Sequence, residues 1–401
     1  MGVEVPLHEL LLDVGVGVAK GAKVEPPADD EWGLLRLGAL TSGEFTASQA
    51  KRLMTWDPAY PRLEVRAGDV LMVRVNGAQS LVGASCVAKH VRPRLVLSDL
   101  MYRLVPDSER LNADFLGLML ASGRVRRQIR RGMRGTSGQF QLPQAEVKKL
   151  QVPLFPLPEQ RDIVAAHEAF ERRIGALERE LAKVGIAESA LSADVLRQVG
   201  AAGPRLDSVA TVAAGVTLGS EPVGDGTIEL PYLRVANVLD GRIDTTDVKT
   251  VRIVKTHYER YALRKGDLLL TEGGDLDKLG RGAVWDGRID ECLHQNHVFR
   301  VRCGEQMLPD FLALYTASPE GRAYFQRVGK QTTNLASINS TQVKQMPVPV
   351  PPVEEQRRLL GPVHAARERA AVLRRQIAKL RTIQQGVIED LLSGQTRVNR
   401  T

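Results

Sequence analysis

The sequence predicts an α+β chain: two similar mixed α/β domains separated by two long helices that form an antiparallel coiled coil, with an internal pseudo-twofold repeat. Three observations predict it. A hinge motif occurs twice, as Phe155-Pro156-Leu157-Pro158-Glu159-Gln160-Arg161 and as Pro351-Pro352-Val353-Glu354-Glu355-Gln356-Arg357, with Gln160 and Gln356 lying 196 residues apart (356 − 160). Each hinge leads into a long heptad-patterned segment. The blocks ahead of the two hinges echo each other at the same or nearly the same spacing. The chain therefore divides into a first domain over 1–155, a first long helix over 156–199, a second domain over 200–351 and a second long helix over 352–395.

The first domain reads as mixed α/β. Residues 5–14 form a short amphipathic opening, and 15–30 form a loop rich in Gly and Pro. Strands are expected over 34–37, from the Gly68-Asp69 turn to Val73, over 81–88 and over 95–105. A helix is expected over 112–133, with Phe115, Leu116, Met119, Val125 and Ile129 on its apolar stripe. Residues 135–144 read as loop and 147–155 as a last strand, which ends at the proline hinge.

The first long helix has an a/d seam, with apolar residues at alternating steps of four and three. The seam runs Ile163, Phe170, Ile174, Leu177, Leu181, Val184, Leu191 and Val195, with His167 and Glu188 as polar exceptions. Adding 196 gives Leu359, Val363, Ala366, Ala370, Leu373, Ile377, Leu380, Val387 and Leu391, with Gln384 at the position of Glu188. A narrow apolar stripe on a long helix needs a partner. Two stripes of equal length in one chain supply each other, and a whole domain between them makes the pair antiparallel. About 40 residues at roughly 1.5 Å each give a rod about 60 Å long. Gly361-Pro362 predicts a kink early in the second helix.

Residues 199–204 form a Gly/Pro linker, and the second domain then repeats the first. Tyr232-Leu233-Arg234-Val235 echoes 34–37, Lys265-Gly266-Asp267-Leu268-Leu269-Leu270 echoes 67–72, Phe311-Leu312-Ala313-Leu314 echoes 115–118, and Gln342-Val343-Lys344 echoes 146–148. Residues 76–100 and 271–297 share little. A duplicated scaffold with divergent loops is what two readers of different targets require.

Composition narrows the class. With 401 residues, 43% of them hydrophobic, the chain can bury more than one core. A formal net charge of +8 favours an anionic partner such as nucleic acid. Cys86, Cys292 and Cys303 are scattered, which suits a reducing cytosol and argues against a zinc site or a disulfide framework. No apolar run approaches a membrane span, and acidic residues interrupt the apolar stretch near Met1, so neither an anchor nor a signal peptide is expected.

The paired hinges, the paired long helices, the Gly-Asp-Val/Leu-Leu strands and the half-length repeat together resemble the specificity (S) subunit of type I restriction-modification systems. The resemblance covers essentially the whole chain. It implies two target-recognition domains, each reading one half of a bipartite DNA sequence, with the helices setting the gap. It implies a non-catalytic, cytoplasmic protein of phage defence whose partners are double-stranded DNA, two methyltransferase (M) subunits and restriction/translocase (R) subunits. It implies no cofactor in this chain and S-adenosylmethionine in the methyltransferase partner. The alternatives are a specificity subunit of another restriction-modification type, a coiled-coil scaffold that binds no DNA, and an autonomous nuclease or methyltransferase.

Candidate DNA contacts fall in two groups. Arg124, Arg126, Arg127, Arg130, Arg131 and Arg134 crowd one helix end ahead of a small polar loop that includes Thr136 and Gln139; they suit phosphate contact, or a solvated face. In the second half the corresponding loop holds Lys330, Thr332 and Asn334. The divergent segments are the candidates for base readout: Arg74, Asn76, Gln79 and Ser80 in the first half, and Glu272, Asp275, Lys278 and Arg281 in the second. Gln295 and Asn296, near a strand start, suit either a DNA contact or a structural role.

Several motifs resemble active sites but lack parts. Asp57-Pro58-Ala59-Tyr60 is one residue from the Asp-Pro-Pro-Tyr motif of amino-methyltransferases, yet no Gly-rich cofactor loop stands nearby and the second half has no counterpart. Pro106-Asp107 with Glu146-Val147-Lys148 is close to a nuclease signature, but the repeat has Gln342 in place of Glu146. His294 and His297 lack a third metal ligand. The Gly273-Gly274 to Gly282 run lacks the Gly-Lys-Ser/Thr of a phosphate loop.

Overall fold

The computed structural model describes residues 3–18, 22–41, 43–136, 138–200, 203–219, 222–275, 278–331 and 336–397. Residues 201 and 202 of the expected linker lie outside this set. The chain divides into two compact units, 1–178 with 375–401, and 179–374. Each unit holds one mixed α/β domain and half of each long helix.

In the first unit, an antiparallel four-stranded sheet has the order Leu11–Val16, Met101–Pro106, Val70–Val73, Ser85–Val87. Val70-Leu71-Met72-Val73 is an unbroken apolar run because both of its faces are covered. Val70 and Met72 enter one core with Phe115, Leu116 and Ile129, while Leu71 and Val73 enter a second core with Leu35, Leu40 and Leu95. A second sheet has the order Ala22–Lys23, Ala50–Leu53, Gly33–Leu35, Leu95–Val96, the last two strands parallel. The 95–105 region is thus two strands in two sheets.

The helix expected over 112–133 is two helices, Ala113–Ala121 and Gly123–Gly132. Ser122 breaks it: its hydroxyl accepts from the Val125 N–H, which starts a new helix there. The last strand is shorter than expected. A helical turn, Gln144–Lys148, precedes the strand Gln151–Leu154, which pairs with Val3–Pro6.

The second unit repeats this order. Its main sheet runs Ala210–Ala214, Val298–Cys303, Leu268–Thr271, Gly282–Val284. Leu268 and Leu270 enter one core and Leu269 another, as in the first unit. The strand Thr227–Leu233 pairs antiparallel with Lys249–Val254 and parallel with Leu293–His294. Its helices are Pro309–Thr316, Pro319–Val328 and Ser340–Lys344.

The two long helices, Leu157–Val199 and Val353–Ser393, form an antiparallel coiled coil. In the first unit Glu171 accepts from Gln384 at 2.6 Å, and Glu178 from Arg381 at 2.6 Å. In the second unit Glu180 pairs with Arg369, and Glu188 accepts from Arg367 at 2.8 Å. The three exposed ion pairs among these contribute about 0.2–1 kcal/mol each, so the seam holds the pair together. Ile163, Ile174 and Leu177 are buried in the first unit, and Leu359, Val363, Ala370 and Leu373 in the second. Phe170, Leu181, Leu191, Ile377 and Leu380 are half-buried and Leu391 is buried.

The seam departs from its expected register at one end. Val387 is 37% exposed and Ile388 is buried in its place, packing with Leu391, Leu392 and Ile163 in the first domain's core. A straight helix drifts from a strict seven-residue repeat, and the domain captures the drifted side chain. The helix also continues through Pro362. The carbonyl that the proline leaves free belongs to Arg358, an exposed residue, where water can satisfy it.

Candidate nucleic-acid interface

The loop expected over 135–144 is a hairpin. Arg134–Thr136 pairs with Gln139–Gln141, and that strand pairs in turn with Val75–Asn76. This three-stranded sheet joins the two groups of DNA candidates in the first unit, setting Asn76 opposite Phe140 and Arg134 opposite Gln141. Gly135 makes the close pairing possible. Its φ is +137°, and a Cβ there would lie 2.2 Å from the Gln139 carbonyl oxygen.

The arginine helix Gly123–Gly132 is anchored by Val125 and Ile129, spaced one turn apart and buried. Gln128 exchanges two hydrogen bonds with the backbone of Gln151, at 2.9 and 2.8 Å. Arg126 folds back onto the carbonyls of Ser80 and Val82, at 2.7 and 2.9 Å. Burial and the neighbouring Arg130 lower its pKa. Arg124 pairs with Glu4. Arg127, Arg130, Arg131 and Arg134 are exposed and form no ion pair among the described residues. Four uncompensated guanidiniums on one helix and the strand after it make a surface suited to a polyanion.

The readout candidates separate by environment. Gln79, Ser80 and Gln139 are exposed. Asn76 Oδ1 accepts from the Ala78 N–H at 2.8 Å, which closes a local turn. Arg74 is half-buried, donates to the Asp99 carbonyl at 3.0 Å and lies over the Tyr102 ring at 5.9 Å. Its guanidinium braces the fold. Of Thr136, only the backbone pairing with Gln139 is described.

The second unit builds the same small sheet from Gly273–Gly274, Ala336–Ser337 and Lys330–Gln331. Lys330 is exposed; Thr332 and Asn334 lie outside the described residues. The preceding helix is far less basic. Arg322 pairs with Asp240, and Arg327 lies over the Tyr324 ring at 5.5 Å. Lys278 pairs with Asp275, and Arg281 is half-buried. Gln295 and Asn296 are half-buried at a turn, their backbone N–H groups donating to Leu233 and Val216 at 2.9 Å each.

Several residues of the motifs that resemble active sites make local contacts within the fold. His294 is buried, its Nδ1 2.7 Å from the Val298 carbonyl, and burial lowers its pKa to about 4. His297 Nδ1 lies 2.5 Å from Glu272. Glu146 packs over Gly132, and Gln342 caps a helix with Asn339. Among the described residues, no group of three or more His, Cys, Asp or Glu side chains could hold a metal, and no helix is long and apolar enough to cross a membrane.

No protein-family model matches the chain. A Methanocaldococcus jannaschii protein named as the type I restriction enzyme MjaX specificity subunit is 25% identical over 168 residues, 41% of this chain and 40% of that one. The type I restriction enzyme EcoKI specificity subunit of Escherichia coli (strain K12) is 25% identical over 184 residues, 44% of this chain and 39% of that one. The chain is a relative of the type I restriction enzyme specificity subunits. The matched stretch spans about two fifths of these relatives' length. A solved chain from a structural study of complex assembly and conformational transition in a type I R-M system covers 98% of this chain and is itself 97% covered, with a TM-score of 0.60 at 19% identity. That likeness is one of fold, and it spans both α/β domains and both long helices of this relative of the specificity subunits.

Two features escaped sequence reasoning. One is the hairpin that unites the two candidate groups. The other is the pair of hinge glutamines, Gln160 and Gln356, each buried and bonded back into its own domain. The repeat of the motif marked their importance, but only the fold shows what each side chain holds.

Proposed function

We propose that the chain is a non-catalytic DNA-recognition subunit of a type I restriction-modification complex. Each α/β domain reads one half of a bipartite target, and the paired helices hold the two readers at a fixed gap. The small three-stranded sheet supports this reading most strongly. It occurs once per unit at similar places in the repeat, yet carries different residues each time: Asn76, Arg134 and Gln139 in one, Gly273, Gly274, Lys330 and Gln331 in the other. A shared frame with changed tips is the form that two different half-sites demand.

Arg127, Arg130, Arg131 and Arg134 grip phosphates in the first half, and Lys330 does so in the second. Gln79, Ser80 and Gln139 are the residues of the first half best placed for base contacts. Lys278, Arg281, Gln295 and Asn296 stand nearer the fold than the DNA. The exposed faces of the long helices dock two methyltransferase subunits, which bring S-adenosylmethionine, and restriction subunits join that assembly in the cytoplasm.

Salt titration of DNA binding by the purified chain tests the reading. Affinity should fall steeply and linearly in log–log form as counterions are released, and the chain alone should transfer no methyl group. Salt-independent binding, or methylation by the isolated chain, contradicts it.

A further inference from the structure

The first unit contains a cleft of about 660 Å³, within the range of small-molecule pockets of about 300–1,000 Å³. It opens between the arginine helix, the Gln79-Ser80 turn and the end of the second long helix. One wall is cationic. Arg126 and Arg130 lie one helical turn apart; burial first, and the like charge of Arg130 second, lower the pKa of Arg126. The floor is apolar, formed by Leu118, Ala121, Ile388 and Leu392. The far wall offers Gln385 and the Glu389 carboxylate, whose Oε1 accepts from the Gly123 N–H at 2.6 Å.

The repeat supplies an internal comparison. At the corresponding positions of the second half, Arg130 becomes Gln326, Gly123 becomes Pro319, Gln385 becomes Ser189 and Glu389 becomes Ala193. The one retained arginine, Arg322, is paired with Asp240. Leu118, Ala121, Ser122, Arg126 and Leu392 of the lining recur as Leu314, Ala317, Ser318, Arg322 and Leu196, whereas these four have changed. Much of the floor belongs to the repeated scaffold, and the polar groups offered to a ligand are those of the first half alone.

We propose that this cleft binds a free nucleoside monophosphate. The phosphate pairs with the exposed guanidinium of Arg130, beside the positive charge of Arg126, which stays held on the Ser80 and Val82 carbonyls. The base lies on the apolar floor, where the Gln385 amide donates to a ring nitrogen and the Glu389 carboxylate accepts from an exocyclic amino group. The site borders the proposed DNA surface, and Arg130 and the Gln79-Ser80 turn belong to both.

Isothermal titration calorimetry of the full chain without DNA tests the site, with adenosine monophosphate, ribose 5-phosphate and inorganic phosphate as probes. One saturable site per chain is expected, with the nucleotide at least about tenfold tighter than ribose 5-phosphate, because the base adds contacts. Arg130→Ala should weaken the nucleotide about tenfold or more. Ala121→Leu fills the floor from an exposed helix end and should abolish binding of the base while both arginines stay in place. An unchanged melting temperature in both variants keeps folding out of the comparison. Absence of saturable nucleotide binding overturns the proposal, as does equal affinity for inorganic phosphate. Because no DNA is present, failure here leaves the recognition reading to its own test.

Discussion

Gln160 Oε1 accepts from the backbone N–H of Asn112 at 2.8 Å, and Gln356 Oε1 accepts from that of Leu308 at the same distance. The amide groups repeat the match. Gln160 Nε2 donates to the carbonyls of Arg110 and Phe155, and Gln356 Nε2 to those of Gln306 and Pro351, all at 2.8 Å. Every partner recurs 196 positions later. Each glutamine is fully buried and ties the start of a long helix to its own domain. Asn112 in turn caps the next helix by accepting from the Phe115 N–H.

Replacing Gln160 with Ala leaves one N–H and two carbonyls short of a buried partner. An unsatisfied buried group costs about 1–3 kcal/mol, but only the Phe155 bond is fully buried and water can reach the other two, so a total loss of roughly 2–4 kcal/mol is expected. Gln356→Ala should cost the same in the second unit. Hydrogen exchange reads the effect directly: the Asn112 or Leu308 amide should lose protection in the matching variant only.

Leu373 is fully buried in the coiled-coil seam of the second unit. Leu373→Ala should destabilise that unit by about 2–5 kcal/mol, whereas Val387→Ala, at an exposed site, should cost well under 1 kcal/mol. Denaturant melts of the two variants check both values.

Removing Arg127, Arg131 or Arg134 singly should weaken DNA binding by a similar factor for every sequence. Each should also lower the salt slope by about 0.9 for each phosphate that is no longer neutralised. Gln139→Ala should instead change sequence preference within one half-site. A sequence-dependent effect of the arginine variants would reverse these roles.

His294 gives a pH signature. Burial lowers its pKa from the ordinary 6.5 to about 4, so between those values the unfolded chain holds the extra proton and the folded chain does not. Stability is therefore complete above about pH 6.5 and falls as pH drops toward 4, by roughly 3 kcal/mol over the window. Leu97 stands at the repeat-related position in the first unit, where its carbonyl accepts from the Val18 N–H as the His294 carbonyl accepts from the Val216 N–H. His294→Leu should flatten the profile in that window, measured by denaturant unfolding at a series of pH values.

The sequence made the repeat, the hinges and both long helices legible, because each rests on periodicity that survives without tertiary context. The run Val70 to Val73 likewise announced a strand, and the fold adds that separate cores cover its two faces. What stayed hidden depends on distant partners. The 134–141 hairpin has few apolar residues and is held by Val75–Asn76, about sixty positions earlier. The break at Ser122 depends on one hydroxyl choosing a cap over a solvent-facing helix site. Arg74 looked like a reader because its composition and place were right, but Asp99 and Tyr102 hold it. Charge counts could not separate Arg126, which braces a turn, from its free neighbours.

The bipartite reading is tested most directly by expressing the chain with a type I methyltransferase subunit and mapping methylated adenines across the host genome. The account predicts one new motif made of two short specified halves with an unspecified gap of constant length between them. It further predicts that exchanging residues 1–155 for those of another specificity subunit changes one half and leaves the other intact. A single undivided motif, or an exchange that alters both halves together, would contradict it.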